Sequence, residues 1–200
     1  MLFSEINQYL DSLLPSIDGE ERQAKWQALG NSLKKSELKG AVNFICTHNA
    51  RRSVLSQSLA TVLAYRSGLK DLVFWSGGAE ETNAHPNSIA TLQRIGFRLL
   101  SQGEGANPVY ELAYADDAAP LRIFSKKFDD ESSPAPYHAV LVCSKGDAAC
   151  PFIPGVASRT LIPFEDPGTF DGTPEEEQAY NTCAAQIGGE MRFFFEKIIP

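Results

Sequence analysis

Ala41-Val42-Asn43-Phe44-Ile45-Cys46-Thr47-His48-Asn49-Ala50-Arg51-Arg52-Ser53 is the stretch on which the reading of this chain turns. Its first five residues form a short apolar run that predicts a buried β-strand. A polar turn follows, and then a helical stretch carrying Leu55, Leu59, Val62 and Leu63 at helical spacing. A loop at the carboxyl end of a parallel strand is where open α/β sheets bind their ligands. Such a loop aims successive backbone N–H groups into one concavity, and the helix behind it adds its positive end. Residues 46–53 are therefore read as an anion site.

The side chains suit that reading. Cys46 lies at the base of the loop, where the N–H groups and the helix end favour a thiolate. Arg52, six residues on, can fold back and grip two oxygens of a tetrahedral oxyanion in bidentate fashion. Ser53 can donate a hydroxyl hydrogen bond to the sulfur, and Asn49 tolerates left-handed backbone. Thr47, His48, Ala50 and Arg51 complete the oxyanion-binding loop. His48 either lines the mouth or sits at the surface. Arg51 either adds positive potential at the entrance or is a solvated side chain. The plain alternative for the whole string is a buried cysteine followed by surface arginines.

Outward from the loop, strands alternate with helices. Leu72–Trp75 is a second strand, broken by Gly77-Gly78, and Pro86 opens a helix with Ile89, Leu92 and Ile95. Ala139–Val142 and Arg159–Ile162 are the third and fourth strands. Thr173-Pro174-Glu175-Glu176 predicts a helix start with Thr173 as cap, leading into Tyr180, Cys183, Ile187, Met191 and Phe194. This alternation predicts an α/β fold: a small four-stranded parallel sheet with helices on both faces, spanning residues 41–200. Residues about 100–137 interrupt it, and Val109–Leu112 with Leu121–Phe124 around Asp116-Asp117 predict a β-hairpin insertion. Residues 1–40 read as an N-terminal helical extension. Phe3, Ile6, Leu10 and Leu13 stripe one helix, and Asp18 with Glu21 reads as a capping box for a second carrying Trp26, Leu29 and Leu33.

Composition narrows the function. The 200 residues carry 18 Lys/Arg against 25 Asp/Glu, a net charge of −7, without a basic cluster, which argues against nucleic-acid binding. No apolar run approaches the roughly 18 residues of a membrane span. Met1-Leu2-Phe3-Ser4-Glu5 lacks the positive region of a secretory signal. Four cysteines at 46, 143, 150 and 183 are too few and too spread for a disulfide scaffold, which favours a reducing, cytoplasmic setting. Cys183 falls on an apolar helical stripe and reads as an inert buried thiol, and His85 and His138 are assigned no role. No Walker A, GxGxxG or HExxH pattern occurs. Nothing in the pattern calls for a metal or cofactor; a zinc pair lacks a second pair of ligands.

Asp166, in Pro163-Phe164-Glu165-Asp166-Pro167-Gly168, lies in a loop beyond the fourth strand, on the rim that carries Cys46. From spacing alone it is either a proton donor or an ordinary Asp-Pro turn. Cys143 ends the third strand and Cys150 follows seven residues later; the pair either flanks a loop by chance or serves redox chemistry.

Taken together, Cys46-x5-Arg52-Ser53 between strand and helix, Cys143, Cys150 and Asp166 resemble the low-molecular-weight protein tyrosine phosphatase superfamily, specifically its thioredoxin-coupled arsenate reductase branch. The resemblance covers residues 41–200 apart from the insertion. It implies that Cys46 is the nucleophile, Arg52 the oxyanion grip and Asp166 the general acid. It further implies a relay in which Cys143 and then Cys150 pass oxidation outward to thioredoxin, on a Gly146-containing loop. The family commonly has glycine at the position of His48, often a second cysteine at that of Arg51, and aromatic residues just after Asp-Pro, where this chain has Gly168 and Thr169. A monovalent cation near the anion loop is a family possibility that no residue pattern here demands. Two further readings stay open: a phosphatase for phosphotyrosine or a small phosphomonoester using Cys46, Arg52 and Asp166 alone, and a non-catalytic oxyanion-binding or redox-sensing module.

Overall fold

The computed structural model describes residues 1–143, 153 and 155–200. Its centre is a four-stranded parallel sheet in the order β2-β1-β6-β7, built from β1 (Gly40–Cys46), β2 (Leu72–Gly78), β6 (Tyr137–Leu141) and β7 (Ser158–Leu161). All three pairings are parallel, with Ile45 opposite both Gly77 and Leu141, and Leu141 opposite Leu161. The four strands expected from the apolar runs are all present. β1 is buried at every position after Gly40, as a central strand covered on both faces should be.

The strand period of two splits these residues between the faces. Val42, Phe44 and Cys46 join a large core with α3 (Arg52–Arg66), α4 (Pro86–Ile95) and α5 (Glu176–Phe193). Ala41 and Ile45 face the other way, packing with Ala139, Leu141 and Ile153 and against Phe128 and Val156. No helix among the described residues is long and apolar enough to cross a membrane.

Residues 1–35 add α1 (Ser4–Ser12) and α2 (Glu20–Lys35) to the first core. Ile6, Leu10 and Leu33 are fully buried there and Trp26 nearly so. Glu190 of α5 accepts hydrogen bonds from Arg22 Nε at 2.8 Å and Trp26 Nε1 at 2.8 Å, fixing α2 to α5. Arg192 Nη1 donates to the carbonyls of Leu10, Asp11 and Leu13, so a guanidinium closes the C-terminal end of α1.

Several local expectations are corrected. The capping box at Asp18 and Glu21 does not form: α2 opens after Gly19, whose φ of 82° ends the preceding chain, and no side chain caps the helix. Thr173 is not the cap of α5. Its hydroxyl donates to Phe170 O at 2.8 Å within a turn, and the helix begins at Glu176. Gly77 and Gly78 continue β2 rather than break it. A Cβ on Gly78 would lie 2.8 Å from both Thr47 O and Asn49 N, so the absent side chain lets the strand pass directly under the anion loop.

The insertion is larger than a hairpin. β3 (Arg98–Gln102), β4 (Tyr110–Ala113) and β5 (Leu121–Ile123) form a three-stranded antiparallel sheet in chain order. β4 and β5 are the expected pair; β3 was missed because four of its five residues are exposed and show no buried alternation. The chain leaving β5 runs back beside the parallel sheet, with Lys127 bridging to Gly78.

Candidate active site

Three neighbouring strands end on one rim. β1 delivers Cys46, β6 delivers Cys143 one residue past the position that faces Cys46, and β7 leads into the loop of Asp166. Hydrogen bonds continue beyond the strands and hold these ends together: Val142 N donates to Ile45 O at 2.8 Å, Ile162 N to Leu141 O at 2.9 Å and Phe164 N to Val142 O at 3.2 Å.

The anion loop is held from outside by its carbonyls. Cys46 O accepts from Ala79 N at 3.1 Å, Thr47 O from Glu80 N at 2.8 Å and Ala50 O from His85 N at 2.9 Å. His48 O accepts from Ser125 Oγ at 2.8 Å, and Arg51 O from Leu55 N at 3.0 Å. In a trans peptide the carbonyl and the next residue's N–H point in opposite directions. The N–H groups of Thr47, His48, Asn49, Arg51 and Arg52 are thereby turned away from these supports. A cradle of donors ahead of a helix N-terminus is a ready-made site for a tetrahedral anion.

Asn49 sets the inner geometry. Its φ of 48° is left-handed, as the sequence reading allowed. The backbone N–H of Lys126 donates to Asn49 Oδ1 at 3.0 Å, which fixes the orientation of the amide. Asn49 Nδ2 then donates to Ser53 Oγ at 2.9 Å. Ser53 Oγ lies 3.1 Å from Cys46 Sγ, and with its oxygen already accepting, its hydrogen is left for the sulfur. Cys46 is 3% exposed. Thr47 Oγ1 is buried with no hydrogen-bond partner among the described residues.

Arg52 is almost entirely buried; its Nη2 donates to Asp166 Oδ2 at 2.7 Å and its Nη1 to Phe164 O at 3.3 Å. The other oxygen of Asp166 accepts from Gly168 N at 3.0 Å and caps the short 3₁₀ turn Pro167–Phe170. The two residues singled out for oxyanion grip and proton donation are thus in direct contact.

The remaining candidates divide. Cys143 is completely buried, with Sγ 3.8 Å from Ile45 O, beside the carboxyl end of the strand that carries Cys46. Cys150, and with it Gly146, lies outside the described residues. Cys183 is buried under Glu165 O, and burial pushes its thiol up to about 12, in keeping with an inert role. His48 is half exposed, with Nε2 3.7 Å from Glu80 Oε2 at the loop's mouth.

Arg51 is neither solvated nor aimed at the entrance. Its Nε donates to Tyr180 Oη at 2.6 Å, and its Nη2 pairs with Asp171. Tyr180 in turn donates to Asp171 Oδ1 at 2.8 Å. His85, given no role from sequence, belongs to this cluster: Nδ1 accepts from Asn87 N at 3.3 Å and Nε2 lies 3.5 Å from Asp171 Oδ2. Burial, and then the charge of Arg51, lower its pKa. Nothing local in the sequence marks these partners, which come from a loop, a helix cap and a helix far apart in the chain.

Comparison with known proteins agrees with this geometry. Residues 41–117 match the family described as low molecular weight phosphotyrosine protein phosphatase. An arsenate reductase of Halalkalibacterium halodurans is 24% identical over 159 residues, covering 79% of this chain and 96% of that protein. An arsenate reductase of Shouchella clausii is 25% identical over 161 residues, with coverage of 79% and 96%. The crystal structure of an arsenate reductase from Archaeoglobus fulgidus superposes with a TM-score of 0.53 at 20% identity, over 78% of this chain and 99% of that one, which speaks for the fold. The strand–loop–helix carrying Cys46 and Arg52 lies within residues 41–117, the part of the chain that is similar to the low molecular weight phosphotyrosine protein phosphatase family.

Proposed function

We propose that this protein is an arsenate reductase working through Cys46, Cys143 and Cys150, with thioredoxin as its reductant in the cytoplasm. The observation that carries the reading is the fully buried Cys143 at the end of β6, beside the strand that delivers Cys46. A phosphatase has no use for a second thiol there. Reduction of an oxyanion does, because two electrons must come from sulfur.

In this reading the N–H groups of residues 47–53 and the Arg52 guanidinium hold the oxyanion. The Cys46 thiolate attacks arsenic(V), and Asp166 protonates the departing oxygen, which leaves as water. Cys143 then attacks the Cys46 sulfur. The S–S bond forms as the S–As bond breaks, and its electron pair leaves with arsenic, which departs as arsenite. Cys150 attacks Cys143 and returns Cys46 to the thiolate. Dithiol thioredoxin reduces the Cys143–Cys150 disulfide. The chemistry asks for no metal or other cofactor.

A single turnover tests it. Reduced protein mixed with excess arsenate and no reductant should yield one arsenite per chain and lose two hydrogens by mass, with the disulfide mapped to Cys143 and Cys150. Release of no arsenite overturns the reading. The direct contact of Arg52 with Asp166 supports a second reading, hydrolysis of a phosphomonoester through a phosphocysteine at Cys46. That reading requires Cys143→Ser to keep phosphatase turnover.

A further inference from the structure

We propose that Arg51 is a positioning residue for the general acid, clamping the Asp166–Asp171 segment onto the anion loop. The inference rests on the reading of Asp166 as proton donor.

Consecutive arginines hold the two ends of one short segment. Arg52 binds Asp166 at its start, and Arg51 binds Asp171 at its finish. Among the described residues, these two guanidiniums are its polar ties to the anion loop. At its start the segment's other bonds are local, Gly168 N and Thr169 Oγ1 both turning back to Asp166 at 3.0 Å each, and at its finish Asp171 also meets Tyr180 and His85. Such a loop has little of its own to fix it in place.

The clamp is built rather than incidental. Arg51, Asp171 and Tyr180 close a ring of hydrogen bonds: Arg51 donates to both partners, and the Tyr180 hydroxyl, fully buried on α5, donates its proton to Asp171. His85 faces the same carboxylate from the cap of α4, and its Nδ1 lies 3.0 Å from Tyr180 Oη and 3.3 Å from Asn87 N. Glu176 accepts from Asn87 Nδ2 and from Gly172 N, joining α4 to the end of the segment. The clamp therefore references the segment to α4, α5 and the anion loop at once.

Gly168 shows how closely the guanidinium lies. A Cβ there would sit 2.7 Å from both Arg51 Cζ and Nε, well inside contact distance. Its φ is not in the left-handed region, so the glycine provides room, not backbone freedom. Two of the places where this chain departs from the pattern it resembles, Arg51 and Gly168, lie against each other. An arginine in the anion loop requires a bare backbone in the acid loop.

The test compares Arg51→Ala, Arg51→Lys, Asp171→Asn, Gly168→Ala and the double variant Arg51→Ala/Gly168→Ala with the parent. Turnover with arsenate and the thioredoxin system, inorganic phosphate binding by calorimetry, and amide exchange across residues 163–173 are measured on each. Arg51→Ala should lower kcat by about 10- to 100-fold, within the range a misplaced acid forfeits, while KM and phosphate affinity stay within about two-fold. Lysine, which cannot serve two partners from one plane, should not rescue it. Gly168→Ala should lower kcat alone and add nothing to Arg51→Ala, because the clash disappears with the guanidinium. Exchange at residues 167–172 should rise in Arg51→Ala and Asp171→Asn, and that in 46–53 should not. Unchanged kcat and exchange in Arg51→Ala overturn the proposal, as does a loss of phosphate affinity that matches the loss of kcat. Should the parent turn over no arsenate, the assigned function fails, and the exchange measurement alone still decides the clamp.

Discussion

Arg52 Nη2 donates to Asp166 Oδ2 at 2.7 Å, joining the residue proposed as oxyanion grip to the one proposed as proton donor. A guanidinium offers five N–H donors, enough to keep part of this contact while binding two anion oxygens. In the proposed mechanism, however, the carboxyl delivers a proton to the leaving oxygen. Asp166→Asn preserves an acceptor oxygen for Arg52 and removes the proton. It should cut kcat by about 10²- to 10³-fold, while inorganic phosphate binds within about three-fold of the parent. Steady-state turnover and calorimetry check this.

The hydrogen-bond chain Lys126 N–Asn49–Ser53–Cys46 yields a second expectation. Ser53→Ala removes the hydroxyl beside the sulfur and leaves Asn49 Nδ2 without its acceptor in a buried place. Leaving a buried donor unmade costs about 1–3 kcal/mol. Turnover should fall about ten-fold, and the denaturation midpoint should drop by an amount of that order. Full stability with full activity would show the chain to be idle.

Lys126 carries a pH signature. It is 1% exposed, with Nζ over the Phe124 ring at 4.5 Å and near that of Trp75, and burial pushes its pKa down to about 8. Asp130 opposes the shift only in part. The folded state therefore binds fewer protons than the unfolded chain between pH about 8 and the ordinary lysine value near 10.4. Stability from this group rises with pH across that window, and the penalty is fully present below it. Lys126→Met keeps the backbone N–H that orients Asn49. It should gain up to about 3 kcal/mol at pH 7, at about 1.4 kcal/mol per pKa unit, and the gain should fade toward pH 10. Denaturant unfolding of both proteins across that range measures it.

Much of this architecture can be read from local pattern. The runs at 41–45 and 139–142 are apolar because β1 and β6 are central strands covered on both faces, the edge strands at 72–75 and 159–162 are less fully buried, and all four runs lie on strands. Cys46, Asn49, Arg52 and Ser53 lie within eight residues, so one loop displays their chemistry. What escapes is what the chain assembles at long range. Arg51 finds Tyr180 and Asp171 only once α5 and the acid loop dock. Asn49 takes its orientation from Lys126, 77 residues away. β3 escapes because its exposed residues leave no alternation, and Gly77-Gly78 misleads because a pair that usually marks a turn here lets a strand lie against a loop.

Cys183 offers a contrast among the thiols. Its raised pKa and its place on the apolar stripe of α5 argue against a part in the proposed redox chemistry. Cys183→Ala should keep turnover within about two-fold and cost about 1 kcal/mol for the lost sulfur volume. A substantial loss of arsenate-dependent turnover with the fold intact would assign it a role that its burial argues against.

In the proposed mechanism three thiols carry two electrons from thioredoxin to the bound oxyanion. NADPH oxidation after addition of arsenate to the protein with thioredoxin and thioredoxin reductase measures it directly. Sustained arsenate-dependent oxidation, absent in Cys143→Ser and in Cys150→Ser, is the predicted result. No oxidation by protein whose thiols are reduced at the start, or full turnover in either variant, would contradict it.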